Sequence, residues 1–477
     1  MERAEAEAIY DQGKDVVVGV LLRMDEQIQR LEKRVGEQDE RIAQLERRLG
    51  RDSRNSSQPP SADPPSASPQ RGKDRSGRKQ GAQPGHEGRG RELLATSAVD
   101  EVIVHWPTRC ECGHVFAEDE QVGVGVPVRH QVEELPRLAV TVTEHQCPRV
   151  RCAGCGKRTR AQLPADVAGS AFGPRFHAAV AVLSVRNRVS RRDVVELCEQ
   201  LFGARISAGT VDAILARVAD ALVEPDADLL ERVRGARALN MDETGWRTAG
   251  ARRALWGAFT DRHAVLRVRD DRHEDHARQL LADTGAIVTS DRWWAYSHLP
   301  LARRQICWAH LQRDFTAHAE GLGAEKAFGE AGLKVCEELF WTWEIYQHTR
   351  DRRELKRRVR TLRREFKPIL RTYAGKAPRY KYCRGMARNL LKLWPALWTF
   401  ADHRGIEPTN NHAERALRGS VIYRKLSLGT QSDDGERRIE RLLSVHTTCR
   451  LQHRPLHDYL IDAFTAHSRA DPTPLLA

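Results

Sequence analysis

The sequence predicts a multidomain α/β protein, and three observations carry that prediction. A chain of 477 residues is too long for one hydrophobic core. From residue 236 onward, three strand-like segments are followed by a helix-like segment and a fourth strand, the order of an α/β domain. The first 165 residues instead hold a heptad-patterned helix, a segment poor in apolar residues and a cysteine-rich segment. We therefore expect small modules in front of one α/β domain.

The charge and composition of the chain bound its partners and its location. The formal net charge is +13, which favours a polyanionic partner, with nucleic acid ahead of an anionic membrane. No apolar run is long enough to span a bilayer. The first residues, MERAEAEAIYDQGKD, are acidic and lack the apolar core of a secretion signal. We expect a cytoplasmic protein with no membrane partner.

Residues 1–50 are predicted to form a helix that pairs as a parallel coiled coil. Apolar residues recur at alternating steps of three and four, with Gln38 as the one polar exception. The seam consists of Leu21, Met24, Ile28, Leu31, Val35, Ile42, Leu45 and Leu49. Mostly β-branched residues at the first heptad position, with Leu-rich fourth positions, favour a coiled coil of two parallel helices. The alternative is one amphipathic helix packed on its own domain, but the pattern favours a homodimer or higher homo-oligomer.

Residues 51–92 are predicted to be a disordered basic linker. They are rich in Pro, Ser, Gly and Arg and have almost no apolar residue, so they cannot bury a core. The second half of the segment is strongly basic. A solvated tether and a flexible arm that touches phosphates are both open interpretations.

Residues 93–165 are predicted to form a small zinc-binding β module. The segments EVIVHWP and RLAVTVTEHQ alternate in polarity and are rich in β-branched residues, which predicts two strands. Cysteines lie at both ends of the module. In a reducing compartment such a cluster is more typical of a metal site than of disulfides.

The cysteines of this module predict one structural zinc ion. Cys110 and Cys112 form one pair, and Cys152 and Cys155 form a CxxC pair followed by glycine. The first pair is CxC, tighter than usual, so Cys110 is the least secure ligand. One further cysteine and two histidines stay open as replacement ligands: Cys147, His114 and His145. The alternative is a set of reduced free thiols.

Residues 166–235 are predicted to be a helical domain of helix-turn-helix type. A break at Gly203 and a helix-start signal at Ser207 separate two helical patterns. Such a pair either reads DNA or serves as a plain packing unit.

Residues 236–440 are predicted to form the α/β domain, with a helical insertion at about 310–405 and a helical segment at 441–477. Asp242 and Asp291 each stand at the end of an apparent strand, where α/β folds display catalytic side chains. Two neighbouring carboxylates repel each other, and a divalent cation such as Mg²⁺ or Mn²⁺ removes that penalty. A third carboxylate from a helix would complete a two-metal site.

The stretch TNNHAERALRGSVIYRK, residues 409–425, holds the candidate for that third carboxylate. Asn411 followed three residues later by Glu414 also resembles a capping box, in which the carboxylate folds back to the backbone. Asp291 has a comparable alternative as the cap of a helix that begins at Arg292. The direction of each carboxylate separates the interpretations.

Over almost its full length the chain resembles transposases of the insertion sequence 66 family, which are bacterial DDE recombinases. The motifs that carry the resemblance are SSQPPS, GAQPGHEG, MDETGW, SDRWWAY, CWAHLQRDF and TNNHAERALRGSVIYRK. The resemblance implies an RNase H-like core in which Asp242, Asp291 and Glu414 are the catalytic triad and hold two Mg²⁺ or Mn²⁺ ions. Two departures are the CxC pair and the run LSLGTQSDDG, where the family tends to place an aromatic before Gly-Ser.

The resemblance also implies supporting residues, partners and a location. Residues that contact DNA or support the site would be His310, Asn410, Asn411, Arg415, Arg418, Arg424 and Lys425. A core histidine is an equal interpretation of His310. The implied activity is end binding, metal-dependent phosphodiester cleavage and strand transfer on the bacterial nucleoid, with possible accessory transposition proteins. The rival is a non-catalytic, zinc- and coiled-coil-containing DNA-binding or scaffold protein.

Overall fold

The computed structural model describes residues 10–49, 91–136 and 138–477. The chain forms two compact units. The first unit comprises Met1–Pro65, Glu144–Leu197 and Arg205–Ala477, and the second comprises Ser66–Thr143 and Cys198–Ala204. Nearly all of the predicted linker at 51–92 lies outside the described residues.

The N-terminal segment is one long helix, α1, from Lys14 to Leu49. The seam side chains that the structure describes, from Leu21 to Val35, are solvent-exposed in the single chain: Leu21 is 59% exposed, Ile28 49% and Val35 53%. A helix that exposes an apolar stripe of this length has a face that a partner would cover. The helix itself is confirmed, and its pairing stays a prediction.

The described residues of the second unit, from 91 onward, have little regular structure. Its two short 3₁₀ turns span Thr96–Ala98 and Glu118–Glu120. The Gln131 side chain bonds both the amide and the carbonyl of Leu94, each at 2.9 Å. The predicted strands at 101–107 and 137–146 are wrong, because the described residues of both segments are not extended into a sheet. Val102, Ile103 and Val104 are all exposed, so the alternating pattern has no buried face to specify a strand.

The zinc-module region of the first unit holds one small hairpin. Strands β1, Arg149–Arg151, and β2, Arg158–Arg160, pair antiparallel with Arg149 opposite Arg160. The hairpin carries Cys152 and Cys155 at its turn.

Five helices follow the hairpin. They are α2 Ala165–Ala168, α3 Pro174–Ala181, α4 Arg191–Phe202, α5 Ala208–Ala221 and α6 Val223–Arg234. The Ser207 hydroxyl caps α5 by accepting from the Thr210 amide at 3.1 Å, as its start signal predicted. The helical pattern before Gly203 is interrupted by a π-helical turn at Val182–Arg186 and by Arg188, whose φ is +63°.

A five-stranded mixed sheet forms the centre of the α/β region. Its strands are β3 Ala238–Thr248, β4 Ala251–Phe259, β5 Ala264–Arg269, β6 Ile287–Ser290 and β7 Arg304–Ile306. The order across the sheet is β5-β4-β3-β6-β7; β3, β4 and β5 are antiparallel, whereas β6 and β7 run parallel to β3. Helix α7, Glu274–Leu281, joins β5 to β6. The predicted order of three strands, helix and strand is confirmed, and β7 was not predicted.

The residues after β7 are mainly helical. The helices are α8 Trp308–Ala319, α9 Gly323–Thr349, α10 Arg352–Tyr373, α11 Arg384–Lys392 and α12 Thr399–Asp402. They share a core in which Trp308, Phe315 and Phe366 are fully buried. Gly329 allows α9 to approach α8, because a Cβ there would lie 2.1 Å from the Ala319 amide nitrogen.

Three helices end the chain: α13 Asn411–Ser427, α14 Asp433–Leu451 and α15 Leu456–Ser468. Helices α14 and α6 pack against strand β5. The Asp226 carboxylate of α6 takes a bidentate, buried ion pair from Arg267 of β5, at 3.1 and 2.8 Å. Within the described residues, no helix is at once long and apolar enough to cross a membrane.

Candidate active site

Strand register brings Asp242 and Asp291 to neighbouring positions. Strands β3 and β6 are parallel neighbours, and Asn240 of β3 lies opposite Thr289 of β6. Asp242 follows Asn240 by two residues, and Asp291 follows Thr289 by two residues. Because side chains two residues apart lie on the same side of a strand, this register brings Asp242 and Asp291 to neighbouring positions on one face of the sheet. Adjacent strands are about 4.8 Å apart. The two carboxylates are therefore placed side by side where the pairing of β3 with β6 ends.

Asp291 follows the end of β6, as predicted. The prediction that Asp242 also stands at a strand end is wrong, because β3 continues to Thr248 in its pairing with β4.

The surroundings of Asp242 disfavour its charged form. Burial raises the pKa of Asp242 well above its usual value, and the charges of Glu243, Asp291 and Glu414 raise it further, in that order. The Glu243 amide donates to the Asp242 carboxylate at 3.0 Å and partly opposes this shift. A carboxyl group with three acidic neighbours is one that a bound cation would stabilise.

The Glu243 carboxylate is held by a hydrogen bond from Tyr296. The Tyr296 hydroxyl donates to its carboxylate at 2.6 Å, and the Arg272 guanidinium lies 3.9 Å away. Burial and the charge of Asp291 raise the pKa of Glu243 to about 7. Consecutive strand residues face opposite sides of a sheet, so Glu243 and Asp242 occupy different environments.

Asp291 lies directly after β6 and is oriented by local bonds. One carboxylate oxygen accepts from the Trp293 amide at 2.9 Å, and the buried Arg304 guanidinium donates to the Asp291 carbonyl at 2.9 Å. Burial raises the pKa of Asp291, whereas the Trp293 amide, Arg304 and Arg292 lower it. No α-helix begins at Arg292 in this described stretch, and the next element is a 3₁₀ turn at Trp294–Tyr296. The helix-cap alternative for Asp291 is therefore wrong.

Asn410 fastens helix α13 to the strand that carries Asp242. Its side-chain amide donates to the Met241 carbonyl at 2.7 Å, and its side-chain oxygen accepts from the Asn240 amide at 2.9 Å. Its backbone amide donates to the Cys307 sulfur at 3.1 Å. Asn410 is fully buried, so each of these bonds is shielded from water. The start of α13 is thereby fixed beside Asp242.

Glu414 faces away from the backbone of its own helix. Helix α13 begins at Asn411 after Asn410, and no side-chain hydrogen bond caps it among the described residues. The Glu414 carboxylate instead lies 3.4 Å from an Arg313 guanidinium nitrogen and 3.6 Å from the His310 ring. The capping-box alternative is therefore wrong. The residue before the first turn is Asn410 and not Asn411, and the Asn410 side chain bonds β3 instead of capping the helix.

His310 and Arg313 of α8 form the side of the site next to Glu414. Burial and the charges of Arg313 and Arg292 lower the pKa of His310 to about 4, so the ring is neutral near pH 7. His310 Nδ1 is buried without a hydrogen-bond partner among the described residues. Arg292 is itself held by the Asp314 carboxylate, at 2.6 Å.

The donor set fits hard divalent cations. Asp242, Asp291 and Glu414 offer carboxylate oxygens, which Mg²⁺ and Mn²⁺ prefer. In the described parts of the chain, no three acidic, cysteine or histidine side chains are yet drawn together as tightly as metal ligands. The Glu414 carboxylate contacts Arg313 in this structure.

The other predicted residues of helix α13 divide into two groups. Arg415, Arg418 and Lys425 are solvent-exposed. Arg418 and Lys425 share the helix face of Glu414, whereas Arg415, the next residue in the chain, lies about 100° around the helix. Arg424 is half-buried and donates to the Gly245 carbonyl of β3. Burial and the charge of Arg272 lower the pKa of Arg424. Arg424 therefore ties the helix to the sheet in this structure.

Each predicted zinc pair lies in its own tight turn. The Cys110 amide donates to the His114 carbonyl at 2.8 Å, and the Cys152 amide donates to the Lys157 carbonyl at 2.7 Å. The amide and thiol of Cys112 lower the pKa of Cys110, and those of Cys155 lower the pKa of Cys152. The two pairs belong to different compact units. Their joint binding of zinc stays a prediction.

Several site residues were not predicted from sequence. They are Asn240, Arg292, Arg304, Cys307 as an acceptor, and Arg313. Arg292 and Arg313 stand inside the SDRWWAY and CWAHLQRDF motifs, which is the one signal that pointed toward them. Arg304 lies in strand β7, which was not predicted, shortly before the CWAHLQRDF motif. Asn240 immediately precedes the MDETGW motif.

Comparison with known families gives two matches. The model of the family described as "Transposase IS66 family" matches residues 169–438, which include every predicted catalytic residue. A family of unknown function (DUF6444) matches residues 3–92.

Two curated relatives come from Sinorhizobium fredii (strain NBRC 101917 / NGR234), and both are described only as uncharacterized. The protein y4hP is 24% identical over 389 residues, which cover 74% of this chain and 69% of that protein. The protein y4qI is 26% identical over 278 residues, which cover 51% of this chain and 50% of that protein.

Proposed function

Because the chain belongs to the transposase IS66 family, we propose that it binds the ends of an insertion sequence, cleaves a phosphodiester at each end and joins the freed 3′-hydroxyl to target DNA. Asp242, Asp291 and Glu414 are the catalytic residues in this proposal. They hold two Mg²⁺ or Mn²⁺ ions on an RNase H-like core, and the mixed order of the sheet supports that fold.

One observation carries the proposal. Strand register places Asp242 and Asp291 on neighbouring strands, and Asn410, at the start of helix α13, bonds the strand that carries Asp242. In agreement with this arrangement, the charges of Asp291 and Glu414 both raise the pKa of Asp242. A buried cluster of like charges is costly in the absence of a function or a counter-ion. Asn410 bonds Asn240 and Met241 and so fastens the helix that carries Glu414 to the strand that carries Asp242.

The residues of the chain prepare the site for phosphodiester chemistry. When bound, the two cations would activate the attacking oxygen and stabilise the leaving oxygen. Asp242 lies on strand β3, Asp291 directly follows strand β6, and Glu414 lies on a helix fastened to β3. Arg313 holds the Glu414 carboxylate and is a cation that phosphate oxygens attract once Glu414 turns to its metal. His310 is neutral, so it orients groups without adding charge.

The remaining parts of the proposal concern partners. The exposed cations of α13, Arg415, Arg418 and Lys425, contact DNA phosphates without reading sequence. The exposed seam of α1 pairs two copies of the chain, and the four cysteines of the turns hold one structural zinc. The match to a transposase family favours this account over a non-catalytic scaffold.

A cleavage assay separates the two functions. The full-length protein is incubated with labelled duplexes from the flanks of its gene, in Mg²⁺, Mn²⁺ or Ca²⁺. We expect nicks at defined positions in Mg²⁺ and Mn²⁺ and binding without nicks in Ca²⁺, because Ca²⁺ is larger and looser in geometry. Binding without any cut in all three ions would instead support the scaffold function.

A further inference from the structure

Two adjacent tryptophans are exposed beside the carboxylate site. Trp293 is 40% and Trp294 46% solvent-exposed, and they follow Asp291 by two and three residues. The chain buries other tryptophans completely, as at Trp256 of β4 and Trp308 of α8. A large apolar surface that stays exposed usually marks a place where a partner binds.

The turn that carries the two rings is firmly anchored, so their exposure does not result from loose packing. Ala295 and Tyr296, the next two residues, are fully buried. The Tyr296 amide donates to the Trp293 carbonyl at 3.2 Å, and the Tyr296 hydroxyl donates to the Glu243 carboxylate at 2.6 Å. The run WWAY therefore divides into two exposed and two buried side chains.

Contacts with the loop after β5 fix the orientation of both indoles. The Trp293 indole N–H donates to the Arg272 carbonyl at 3.3 Å. The Trp294 ring packs edge to face against His273, with ring centroids 5.1 Å apart. The two indoles are themselves 6.1 Å apart and inclined by 47°. We call Arg272, His273, Trp293 and Trp294 the tryptophan patch, and a ligand would meet rings that are already oriented.

Two contacts place the tryptophan patch next to the carboxylate site. The Trp293 amide donates to the Asp291 carboxylate at 2.9 Å. The Arg272 guanidinium lies 3.9 Å from the carboxylate of Glu243, on the strand that carries the first catalytic carboxylate. Successive Cα atoms are about 3.8 Å apart, so those of Trp293 and Trp294 lie within about 7.6 and 11.4 Å of that of Asp291. Since successive nucleotides of a stacked strand are about 3.4 Å apart, the rings can reach a base about one to three nucleotides from a phosphate held at Asp291.

The charges around the tryptophan patch favour a base over a phosphate as the ligand of its rings. Two exposed acids flank the rings: Asp271 precedes Arg272, and the Asp275 carboxylate lies 3.1 Å from the His273 ring. These carboxylates repel a phosphate, whereas the face of a nucleobase carries no net charge. Every base has a π-face that stacks on an aromatic side chain. Arg272, which is half-exposed, is a cation suited to the phosphate that adjoins such a base.

We infer that the tryptophan patch stacks on an unpaired DNA base close to the phosphodiester that is cut. In a duplex the faces of paired bases are covered by their neighbours, so a base must leave the stack before an indole can cover it. Stacking on Trp293 and Trp294 compensates for part of that unpairing and holds the strand at the carboxylates. The inference rests on the proposed function, because cleavage is what brings a DNA strand to Asp291.

A purely structural role and a protein partner are the alternatives. Trp293 bonds both Arg272 and Asp291, so its replacement also disturbs the site. Trp294 makes no side-chain hydrogen bond among the described residues, and its ring contacts are with Trp293 and His273. Trp294→Ala therefore removes stacking surface and leaves the bonds of Asp291 in place.

Removal of one base at a time from the DNA tests the inference. The wild type defines the cut position, and end duplexes then carry one abasic nucleotide at each of the three positions on either side of it, on either strand. We measure kcat/KM for cleavage in Mg²⁺ by the wild type and Trp294→Ala. On the intact duplex we expect the variant to be about 5- to 150-fold slower, the value of one base–aromatic stack. On the duplex that lacks the stacked base we expect equal rates, since neither protein can make the stack.

Two further variants separate stacking from a general loss of structure. Trp294→Phe keeps an aromatic face and is expected to retain most of the cleavage rate. Trp341→Ala is the matched control, because Trp341 of α9 is 50% exposed and its ring is covered by the Arg358 guanidinium, 4.7 Å from its centroid. That control is expected to cleave every duplex as the wild type does. Thermal unfolding verifies that each variant is folded.

Two outcomes would overturn the inference, and they are distinguishable. If the wild type cleaves DNA and Trp294→Ala is impaired equally on all duplexes, or on none, the indoles are structural or bind a protein, and the proposed function stands. If the wild type cleaves no end duplex in Mg²⁺ or Mn²⁺, both the stacking role and the proposed function fail.

Discussion

Asn410, a residue with no solvent access, bonds two other segments of the chain. It connects Asn240 and Met241 of β3 with Cys307 before α8. The carbonyl of Met241 immediately precedes Asp242, and Glu414 is one turn along the helix that Asn410 starts. A single amide side chain thus fastens the helix that carries Glu414 to the strand that carries Asp242, two of the three proposed catalytic residues.

Replacement of Asn410 by Asp is predicted to impair cleavage more than DNA binding. The carboxylate cannot donate to the Met241 carbonyl, and it adds a fourth acid beside Asp242. We expect a loss of stability of about 1–3 kcal/mol from the unsatisfied buried carbonyl. We also expect a higher Mg²⁺ concentration for half-maximal cleavage, measured on the folded fraction. An unchanged Mg²⁺ requirement would show that Asn410 does not position the site.

His446 is predicted to make the DNA-free protein sensitive to acid. Burial and the charges of Arg186, Arg450 and Arg188 lower the pKa of His446 to about 3, whereas an unfolded histidine has a pKa near 6.5. Between about pH 6.5 and pH 3, His446 is therefore protonated in the unfolded chain and neutral in the folded chain. The free energy of unfolding falls as the pH decreases through this range.

Substitution of His446 by Leu removes that dependence at this one position. Urea unfolding between pH 7 and 4.5, without DNA, is expected to show a shallower fall in stability for the variant than for the wild type. Parallel curves for the two proteins would contradict the assignment of a depressed pKa to His446.

At the scale of elements, helix α14 completes the sheet edge. Glu440, Ser444 and Thr448 accept hydrogen bonds from alternate amides of β5: Val268 at 2.6 Å, Leu266 at 2.9 Å and Ala264 at 3.0 Å. Four helical residues advance about 6 Å and two strand residues about 6.7 Å, so the two repeats stay matched across these three contacts. The edge strand is thereby covered, which prevents pairing with another chain.

The zinc pairs give a prediction at the element scale. Purified protein is expected to carry about one zinc per chain, and Cys152→Ser or Cys155→Ser is expected to abolish it, since each removes one of four thiolate ligands. Metal content by mass spectrometry measures this. Cys198→Ala is the matched control, because Cys198 is buried and outside both turns. A folded protein without bound zinc would contradict the prediction.

Local patterns predicted the elements, but they did not predict how the elements meet. The run AIVTSDRWWAY indicated a strand that ends near Asp291, and β6 ends at Ser290. The capping-box interpretation of Asn411 and Glu414 failed because it considered the helix alone. Asn410 bonds a residue 170 positions earlier in the chain, and a contact of that separation has no periodicity to reveal it. The strands expected near Val102–Val104 failed for a related reason, since alternation without a buried face does not specify a sheet.

At the scale of the whole molecule, the site depends on segments from most of the α/β region. Strand β3 supplies Asp242, the end of β6 supplies Asp291 and the late helix α13 supplies Glu414. The helices at 308–402 stand between the second and third of these, and one of them supplies Arg313 to the Glu414 carboxylate. The domain division and the pairing of α1 stay predictions at this scale.

The central claim is that Asp242, Asp291 and Glu414 together carry out DNA cleavage. The most direct measurement is the cleavage rate of labelled end duplexes in Mg²⁺ by Asp242→Asn, Asp291→Asn and Glu414→Gln, with Glu243→Gln as the neighbouring acid control. Each catalytic variant is predicted to bind the duplex in Ca²⁺ as the wild type does, and to cleave more than about 1,000-fold more slowly, a barrier increase of about 4 kcal/mol. Glu243→Gln is predicted to retain cleavage, because its amide oxygen still accepts from Tyr296. Wild-type cleavage by any of the three catalytic variants would contradict the account.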